Sequence, residues 1–436
     1  MKQKQVFNNA KWIILCRIVQ SVMQLIIGMV SARYLGPSNY GLINYAASIV
    51  AFALPLMKLG LDAILVYELV ESPEKEGEII GSSLFLNVSS GLLCIVGVSV
   101  FAVTVNYGEK DTILICMLYS ISILFAAFEM LQYWYQYRLL SKYASVIMLA
   151  AYLFVSAYKI FLLASAKSVF WFAASHSVEY GFISVLLFIF YYKNGGAKLS
   201  VSIGRMKKML MRSKYYILAA LMIVVIQNTD HIMLRFISGD AANGYYTAAV
   251  TSASALQFVF TAIIDSFRPL ILSAKKNNAA EYEKNISRLY GIIIYLSIAQ
   301  SLAFTIFAPW IIRILYGAVY ISAVPVLRIL IWYFAFSFMG TIRNIWLLAE
   351  GKQKYLPGIN MAGCVLNILL NAFMIPLYGA CGAAFSSFLT QVFMNFVLGF
   401  LIGSVRKNNK LMLIGLHPRF LVRELKSILF EIRKKE

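Results

Sequence analysis

Twelve apolar runs, each about 20 residues long or longer, dominate this chain and leave a lipid bilayer as the one solvent it can fold in. They fall at roughly 11–33, 40–68, 79–106, 112–137, 143–164 and 168–192, then 215–237, 244–272, 287–309, 323–348, 355–376 and 379–404. Hydrophobic residues make up 61% of the 436 positions and charged residues only 13%. No single soluble core can hide that much apolar surface, because cores stop growing well below this length. The expected fold is therefore an all-α polytopic membrane protein with about twelve transmembrane helices and almost no soluble domain. The second run is unusually long and carries Pro55 and Gly60 near its end, so a kink or break is expected there.

The formal charge of +20 is explained by basic cytoplasmic loops, which the positive-inside rule demands, and does not call for a nucleic-acid partner. Lys193, Lys198, Arg205, Lys207, Lys208, Arg212 and Lys214 crowd the connection between the sixth and seventh runs. Arg138 with Lys142, Lys275 with Lys276, and Lys352 with Lys354 occupy other even-to-odd connections, while odd-to-even ones such as 107–111 and 377–378 are short and nearly uncharged. This bias places both termini in the cytoplasm of a multi-pass plasma-membrane protein. It also divides the chain into a six-helix bundle at 1–192, a basic linker at 193–214, a second six-helix bundle at 215–405 and a tail at 406–436. In the tail, Leu421, Leu425, Ile428, Leu429 and Ile432 recur at helical spacing beside Arg423, Lys426, Arg433, Lys434 and Lys435, which suits an amphipathic helix on an anionic lipid surface; a partner-binding tail is the alternative.

Cys16, Cys94, Cys116, Cys364 and Cys381 lie in apolar runs without metal-ligand spacing, so neither a disulfide framework nor a metal site is expected. The sequons at Asn87 and Asn285 fall in a span and in a cytoplasmic connection and carry no weight. No cleavable signal peptide is expected, since the first apolar run is too long and ends at Arg33. Walker sequences, nucleophile elbows and cofactor motifs are not found, so no enzyme activity and no cofactor are expected.

The halves echo each other. Arg33-Tyr-Leu-Gly-Pro-Ser-Asn-Tyr-Gly41, then Ala46-Ala47, closes the first run; Arg235-Phe-Ile-Ser-Gly-Asp-Ala-Ala-Asn-Gly244, then Ala248-Ala249, closes the seventh. Trp134 precedes Lys142-Tyr143 as Trp346 precedes Lys354-Tyr355. Matched Arg, Gly, Trp and Lys landmarks in one order argue for duplication. Six spans per half give both halves the same orientation, hence a pseudo-two-fold axis along the membrane normal and a pathway between halves.

The segment from Arg33 to Ala47 resembles the "RYLGPxxYGxxxxA" signature of bacterial polysaccharide flippases in the multidrug/oligosaccharidyl-lipid/polysaccharide (MOP) superfamily. Asp230-His-Ile-Met-Leu-Arg-Phe-Ile to Gly244-Tyr-Tyr, Leu315-Tyr-Gly with Tyr320 and Pro325-Val-Leu-Arg-Ile-Leu330, and Gly351-Lys-Gln-Lys-Tyr355 with Asn367, Asn371, Ile375-Pro-Leu-Tyr-Gly379 and Gly382-Ala-Ala384 resemble the same family in the same order. The resemblance implies that the chain moves an undecaprenyl-pyrophosphate-linked oligosaccharide to the outer leaflet for O-antigen or capsule biosynthesis. Its implied partners are that lipid-linked sugar, membrane lipids, and polymerase and chain-length proteins.

Transport of such a head group needs a polar path, so ionisable residues inside spans are the candidates. Arg17, Gln20 and Gln24 share one face of the first helix. Arg17 suits a pyrophosphate by its paired donors, or else it pairs with a carboxylate or reaches back to the inner surface. Gln227, Asp230 and His231 form the matching face of the seventh helix. Asp230 with His231 suits ion or proton coupling, or alternatively Asp230 locks the halves together. Lys159 needs a partner from another helix or from substrate. Glu129 and Gln132 suggest a cavity wall, His176 and Glu179 sit one turn apart and can satisfy each other, and Arg328 and Arg343 are candidates in the second half. Lys58 with Asp62, and Asp265 with Arg268, are spaced for local ion pairs. The aromatics Tyr133, Trp134, Tyr135, Tyr137, Tyr191, Tyr192, Tyr215 and Tyr216 read as interfacial belts. Two rival functions remain: a cation-coupled multidrug exporter of the same superfamily, which the basic Arg17 and Lys159 disfavour, and a membrane glycosyltransferase or polymerase, which the short loops disfavour.

Overall fold

Helix follows helix through the computed structural model, and no strand occurs among the described residues. The structure describes residues 2–418, except for the side chains of 2–15, 17, 18, 219, 276 and 277. The α-helices are α1 (Lys2–Lys58), α2 (Leu65–Glu71), α3 (Glu76–Val105), α4 (Lys110–Ala126), α5 (Leu131–Tyr137), α6 (Ser141–Ala164), α7 (Val169–Lys193) and α8 (Ile203–Ser238). They continue with α9 (Asp240–Ser254), α10 (Gln257–Asn277), α11 (Ala279–Tyr316), α12 (Ala323–Ala349), α13 (Leu356–Val392), α14 (Leu398–Leu401) and α15 (Arg406–Leu416).

Among the described residues, ten helical stretches are long and apolar enough to cross a membrane. Two of them, Val19–Lys58 and Gln353–Leu401, bend through a non-helical glycine: Gly36 at φ 73°, ψ 170° and Gly379 at φ 55°, ψ −130°. Both glycines hold backbone conformations that a Cβ disfavours. Dividing each stretch at its glycine gives the twelve segments that the apolar runs predict. The break expected near Pro55 comes after Lys58, where Leu59 and Gly60 turn left-handed at φ 51° and 66°. The run at 244–272 is not one helix, since α9 ends at Ser254 and α10 begins at Gln257.

Two compact units emerge, one reaching to Arg235 and including Gly239–Gly244, the other comprising Phe236–Ser238 and the residues from Tyr245 on. In the first, two large apolar clusters form, beside a smaller one of Leu35, Leu162 and Phe172. One gathers Leu61, Leu65, Ile80, Leu131, Trp134 and Tyr191; the other gathers Tyr45, Ile49, Met57, Ile115, Ile123 and Ala173. The basic stretch 193–214, whose latter part forms the start of α8, lies in this unit on carboxylates, of which Glu68 and Glu76 are buried. Glu68, fully buried, takes Arg205 at 3.2 Å and Arg212 at 2.5 Å, and Glu71 takes Arg212 at 2.6 Å. Glu76 accepts from Trp134 Nε1 at 2.8 Å, Arg138 at 2.7 Å and the Ala197 amide at 3.2 Å. The Arg212 guanidinium holds the Glu71 carboxyl below its ordinary value. Part of the loop's basic content thus serves local ion pairs as well as topology.

In the second unit α11, α12 and α13 pack side by side, and α15 returns against α11. Tyr290 donates to Asn408 at 3.0 Å, Tyr295 to the Leu416 carbonyl at 2.8 Å, and Lys407 pairs with Glu283 at 2.6 Å. A π-turn at Phe393–Val397 follows α13. A π-turn disturbs the backbone ladder locally, and side chains take its carbonyls: Arg343 holds that of Met394 at 2.7 Å, Asn409 that of Phe396 at 2.7 Å. The tail residues from 419 on, with their apolar and basic repeat, lie outside the described residues.

The belt reading of the aromatics fails for three of them. Trp134, Tyr135 and Tyr191 are fully buried, with Tyr135 bonded to the Leu187 carbonyl and Tyr191 to that of Ala197. Burial of a Tyr or Trp requires a partner for its polar end, and sequence alone could not show that neighbouring helices supply one. Asn87 is likewise fully buried inside α3, so its sequon is unusable.

Candidate functional site

An ionised side chain at the middle of a spanning helix costs about 2.5–3.5 kcal/mol on insertion scales unless it finds a partner or water. The first unit brings several together. Lys58, at the end of α1, reaches Glu129 at 3.5 Å rather than its sequence neighbour Asp62. The local Lys58–Asp62 pair expected from spacing is thereby replaced, because Leu59 and Gly60 end the helix between them. The Asp265–Arg268 pair does form, at 3.4 Å on an exposed face of α10.

Lys159 of α6 finds its counter-charge on α7, within electrostatic range of Glu179, and Glu179 in turn senses Glu129. Glu179 lies ten residues into α7, about 15 Å from its start at a rise of about 1.5 Å per residue. Tyrosines ring the two carboxylates: Tyr119, Tyr152 and Tyr180 lie in the field of Glu179, and Tyr133 and Tyr180 in that of Glu129. The His176 ring stacks on Tyr119 at 4.2 Å between centroids and meets the edge of Tyr180 at 4.8 Å. It is held by aromatic faces, where sequence spacing suggested a bond to Glu179. Gln132 is half-buried one turn beyond Glu129. The cluster offers two ammonium groups, two carboxylates, an imidazole and phenol hydroxyls, suited to sugar hydroxyls, anionic groups or proton exchange.

The remaining expected residues scatter. Arg17 lies outside the residues whose side chains are described; Gln20 is half-buried and Gln24 exposed on α1. On α8, Gln227 is exposed and Asp230 buried, while His231 Nδ1 meets Asn243 Oδ1 at 2.7 Å. In the second unit Arg343 is buried among neutral acceptors, Met394 O and Asn395 Oδ1 at 2.9 Å, and Asn395 donates onward to Gln391 at 2.6 Å. Arg328 gives its Nε to the carbonyl of Thr305 at 3.1 Å. Sequence reasoning missed Asn243, Asn395 and Tyr119, since a neutral side chain in an apolar run gives no signal until its neighbour across the bundle is known.

The comparisons with known proteins follow this architecture. A family model described as "Polysaccharide biosynthesis protein" matches residues 6–275. No curated protein matches. Among solved structures, an inward-facing multidrug resistance MATE family transporter of the MOP superfamily is similar at TM-score 0.69 and 13% identity, over 89% of this chain and 94% of that one. The lipid II flippase MurJ in an inward closed conformation is similar at TM-score 0.67 and 14% identity, over 94% of this chain and 92% of that one. A Vibrio cholerae MATE transporter, VcmN, is similar at TM-score 0.60 and 11% identity, over 94% and 98%. At such identities the likeness shows a shared fold.

Proposed function

Because the chain belongs to the polysaccharide biosynthesis protein family, we propose that it is a flippase carrying an undecaprenyl-pyrophosphate-linked oligosaccharide from the cytoplasmic to the outer leaflet by alternating access. The observation that carries this reading beyond the family is the cluster of Lys58, Glu129, Lys159 and Glu179 among tyrosines inside spanning helices. A passive scaffold has no need of it, and each charge is costly in lipid. In this reading the halves at 1–192 and 215–405 alternate about a pseudo-two-fold axis, with both termini in the cytoplasm of a bacterial plasma membrane. Arg17 attracts the pyrophosphate, Gln20, Gln24, Gln227 and Lys159 meet polar groups, and Asp230 with His231 answers the coupling ion. Polymerase and chain-length proteins would receive the product.

The test is export of lipid-linked repeat units in cells lacking their own flippase, comparing wild type, Arg17→Ala and Lys159→Met at matched expression. Export by wild type and its loss in Arg17→Ala support the reading and the role of Arg17. Export retained in both variants keeps the flippase and moves head-group binding elsewhere. No export by wild type, with the matching glycan supplied, sinks the proposal and points to an exporter.

A further inference from the structure

α12 carries a guanidinium that the second unit surrounds but does not neutralise. Arg343 is 3% exposed and lies six residues before the helix ends at Ala349, about 9 Å inside it at a rise of about 1.5 Å per residue. The acceptors it meets are all neutral. Nη1 donates to the Met394 carbonyl at 2.7 Å and to Asn395 Oδ1 at 2.9 Å, and Nη2 donates to Asn344 Oδ1 at 3.2 Å. Asn395 is fixed in turn, since its Nδ2 donates to Gln391 at 2.6 Å and a Cβ on Gly340 would lie 2.5 Å from its Oδ1. Among the described residues, the titratable group in the field of Arg343 is the Tyr290 hydroxyl, itself held by Asn408. The buried Nε–H bonds to no acceptor among them.

A second orphan shares that face. Trp346 follows Arg343 by three positions, so the two side chains leave α12 on one side. Its indole is fully buried, and the Nε1–H also bonds to no acceptor among the described residues. Lys352 Nζ lies 4.9 Å over the ring and adds positive charge there. The first unit shows what such an N–H takes when a carboxylate is present. Trp134, the matched tryptophan of the repeat, donates to Glu76 Oε1 at 2.8 Å, and Glu76 Oε2 pairs with Arg138 at 2.7 Å. One carboxylate there holds an indole and a guanidinium together. Four residues after Trp346, where the first half has Arg138, the second half has Glu350, and Lys275 takes it.

A charge left uncompensated in a low-dielectric interior is costly, and a buried N–H without an acceptor adds to the cost. Hydrogen bonds from a guanidinium to an anion are among the strong ones. We propose that Arg343 Nε and the Trp346 indole N–H hold a small inorganic anion of the chloride class inside the second unit. The anion neutralises the guanidinium and so keeps it on the π-turn at Phe393–Val397. Size sets the class. Both side chains are buried, so a halide is admitted by a small local shift, whereas a phosphate-bearing head group would have to part the helices. This assignment does not rest on the transport reading.

The test is the melting temperature of the purified full chain in detergent as sodium chloride replaces sodium gluconate at constant ionic strength, which keeps screening equal. An anion bound to the folded state raises that temperature with its concentration. Wild type should melt progressively higher in chloride, and bromide should substitute for it. Trp346→Phe removes one donor to a charged acceptor and should raise the half-saturating chloride concentration by about ten-fold or more. Arg343→Gln should abolish the response, and Lys410→Gln, exposed on α15, should leave it unchanged. Equal melting of wild type in chloride and gluconate overturns the proposal, since water or a side-chain shift then satisfies Nε. A chloride response that is the same in wild type, Trp346→Phe and Arg343→Gln places the anion elsewhere and also overturns it; if Arg343→Gln does not fold, Trp346→Phe alone decides. A loss in Lys410→Gln equal to that in Trp346→Phe reveals a general surface effect and overturns the site. A response to inorganic phosphate with none to chloride overturns the assignment of a small anion.

Discussion

Replacing Arg328 by alanine separates a charge that serves transport from one that serves the backbone. α11 contains Pro309, and a proline has no N–H to offer the carbonyl four residues earlier. That carbonyl belongs to Thr305, and Arg328 Nε donates to it at 3.1 Å from α12. Neighbouring side chains commonly repair proline defects in spanning helices in this way. Arg328→Ala orphans the carbonyl, at a cost of about 1–3 kcal/mol. The bond is on an exposed face, so the lower part of that range, about 1–2 kcal/mol, is expected. At about 2–4 °C per kcal/mol for a large domain, the melting temperature in detergent should fall by roughly 2–8 °C. Pro309→Ala restores an N–H for Thr305, so Arg328→Ala should cost almost nothing in that background. A thermal double-mutant cycle on the four proteins should give a coupling of about 1 kcal/mol. Strictly additive effects would refute the repair argument. Unchanged stability with export abolished would return Arg328 to the transport path.

Two further outcomes follow from the ion pairs. Lys159→Met and Glu179→Gln each leave the other charge uncompensated inside the bundle, so each should lower the melting temperature, while the double variant recovers at least half of the loss; a double variant as unstable as the sum of the singles would show that the two do not compensate each other. Burial raises the Glu350 carboxyl, but the hydrogen bond and charge of Lys275 outweigh it and leave the group below its ordinary value near 4.5. A depressed folded value stabilises above the unfolded value and loses that contribution as pH falls through the folded one. Melting temperatures below about pH 4.5 should therefore fall less steeply in Lys275→Met than in wild type, and parallel acid profiles would contradict the assignment.

Much of the fold was legible because lipid imposes a length. A run of twenty apolar residues has few alternatives, so most of the twelve runs could be read as helical without knowing any contact, and the break in 40–68 was signalled by Pro55 and Gly60. The run at 244–272 gave no such signal: it is interrupted at 255–256 among Ser, Ala and Leu, where nothing in the local sequence breaks a helix. Paired landmarks were also legible: the Arg-to-Gly segments at 33–41 and 235–244 proved to be facing sides of one seam. Partners were not. Glu76 and Trp134 are 58 residues apart, Arg235 and Glu109 are 126 apart, and no periodicity connects them. Spacing favours Lys58 with Asp62 on a continuous helix; the left-handed pair at 59–60 ends that helix and turns the lysine to Glu129.

That redirection changes what the intramembrane charges can do. Arg328 repairs a proline, Arg343 holds a π-turn, Arg235 pairs with Asp240 and Glu109, and Arg205 with Arg212 pairs with Glu68. The members of the first unit's interior cluster have no such backbone task, and they carry no net positive charge: Lys58 and Lys159 stand against Glu129 and Glu179, with Asp62 also in the field of Tyr133. A balanced set exerts little net pull on a pyrophosphate at any distance beyond the pairs themselves. It attracts an anion only after a carboxylate takes up a proton, or when a cation outside the set contributes. If the chain flips a pyrophosphate-linked sugar, the net attraction must come from a proton taken up with the substrate or from Arg17. Export by Arg17→Ala that persists but becomes dependent on acidic pH would identify the proton. Export abolished at every pH would identify the arginine.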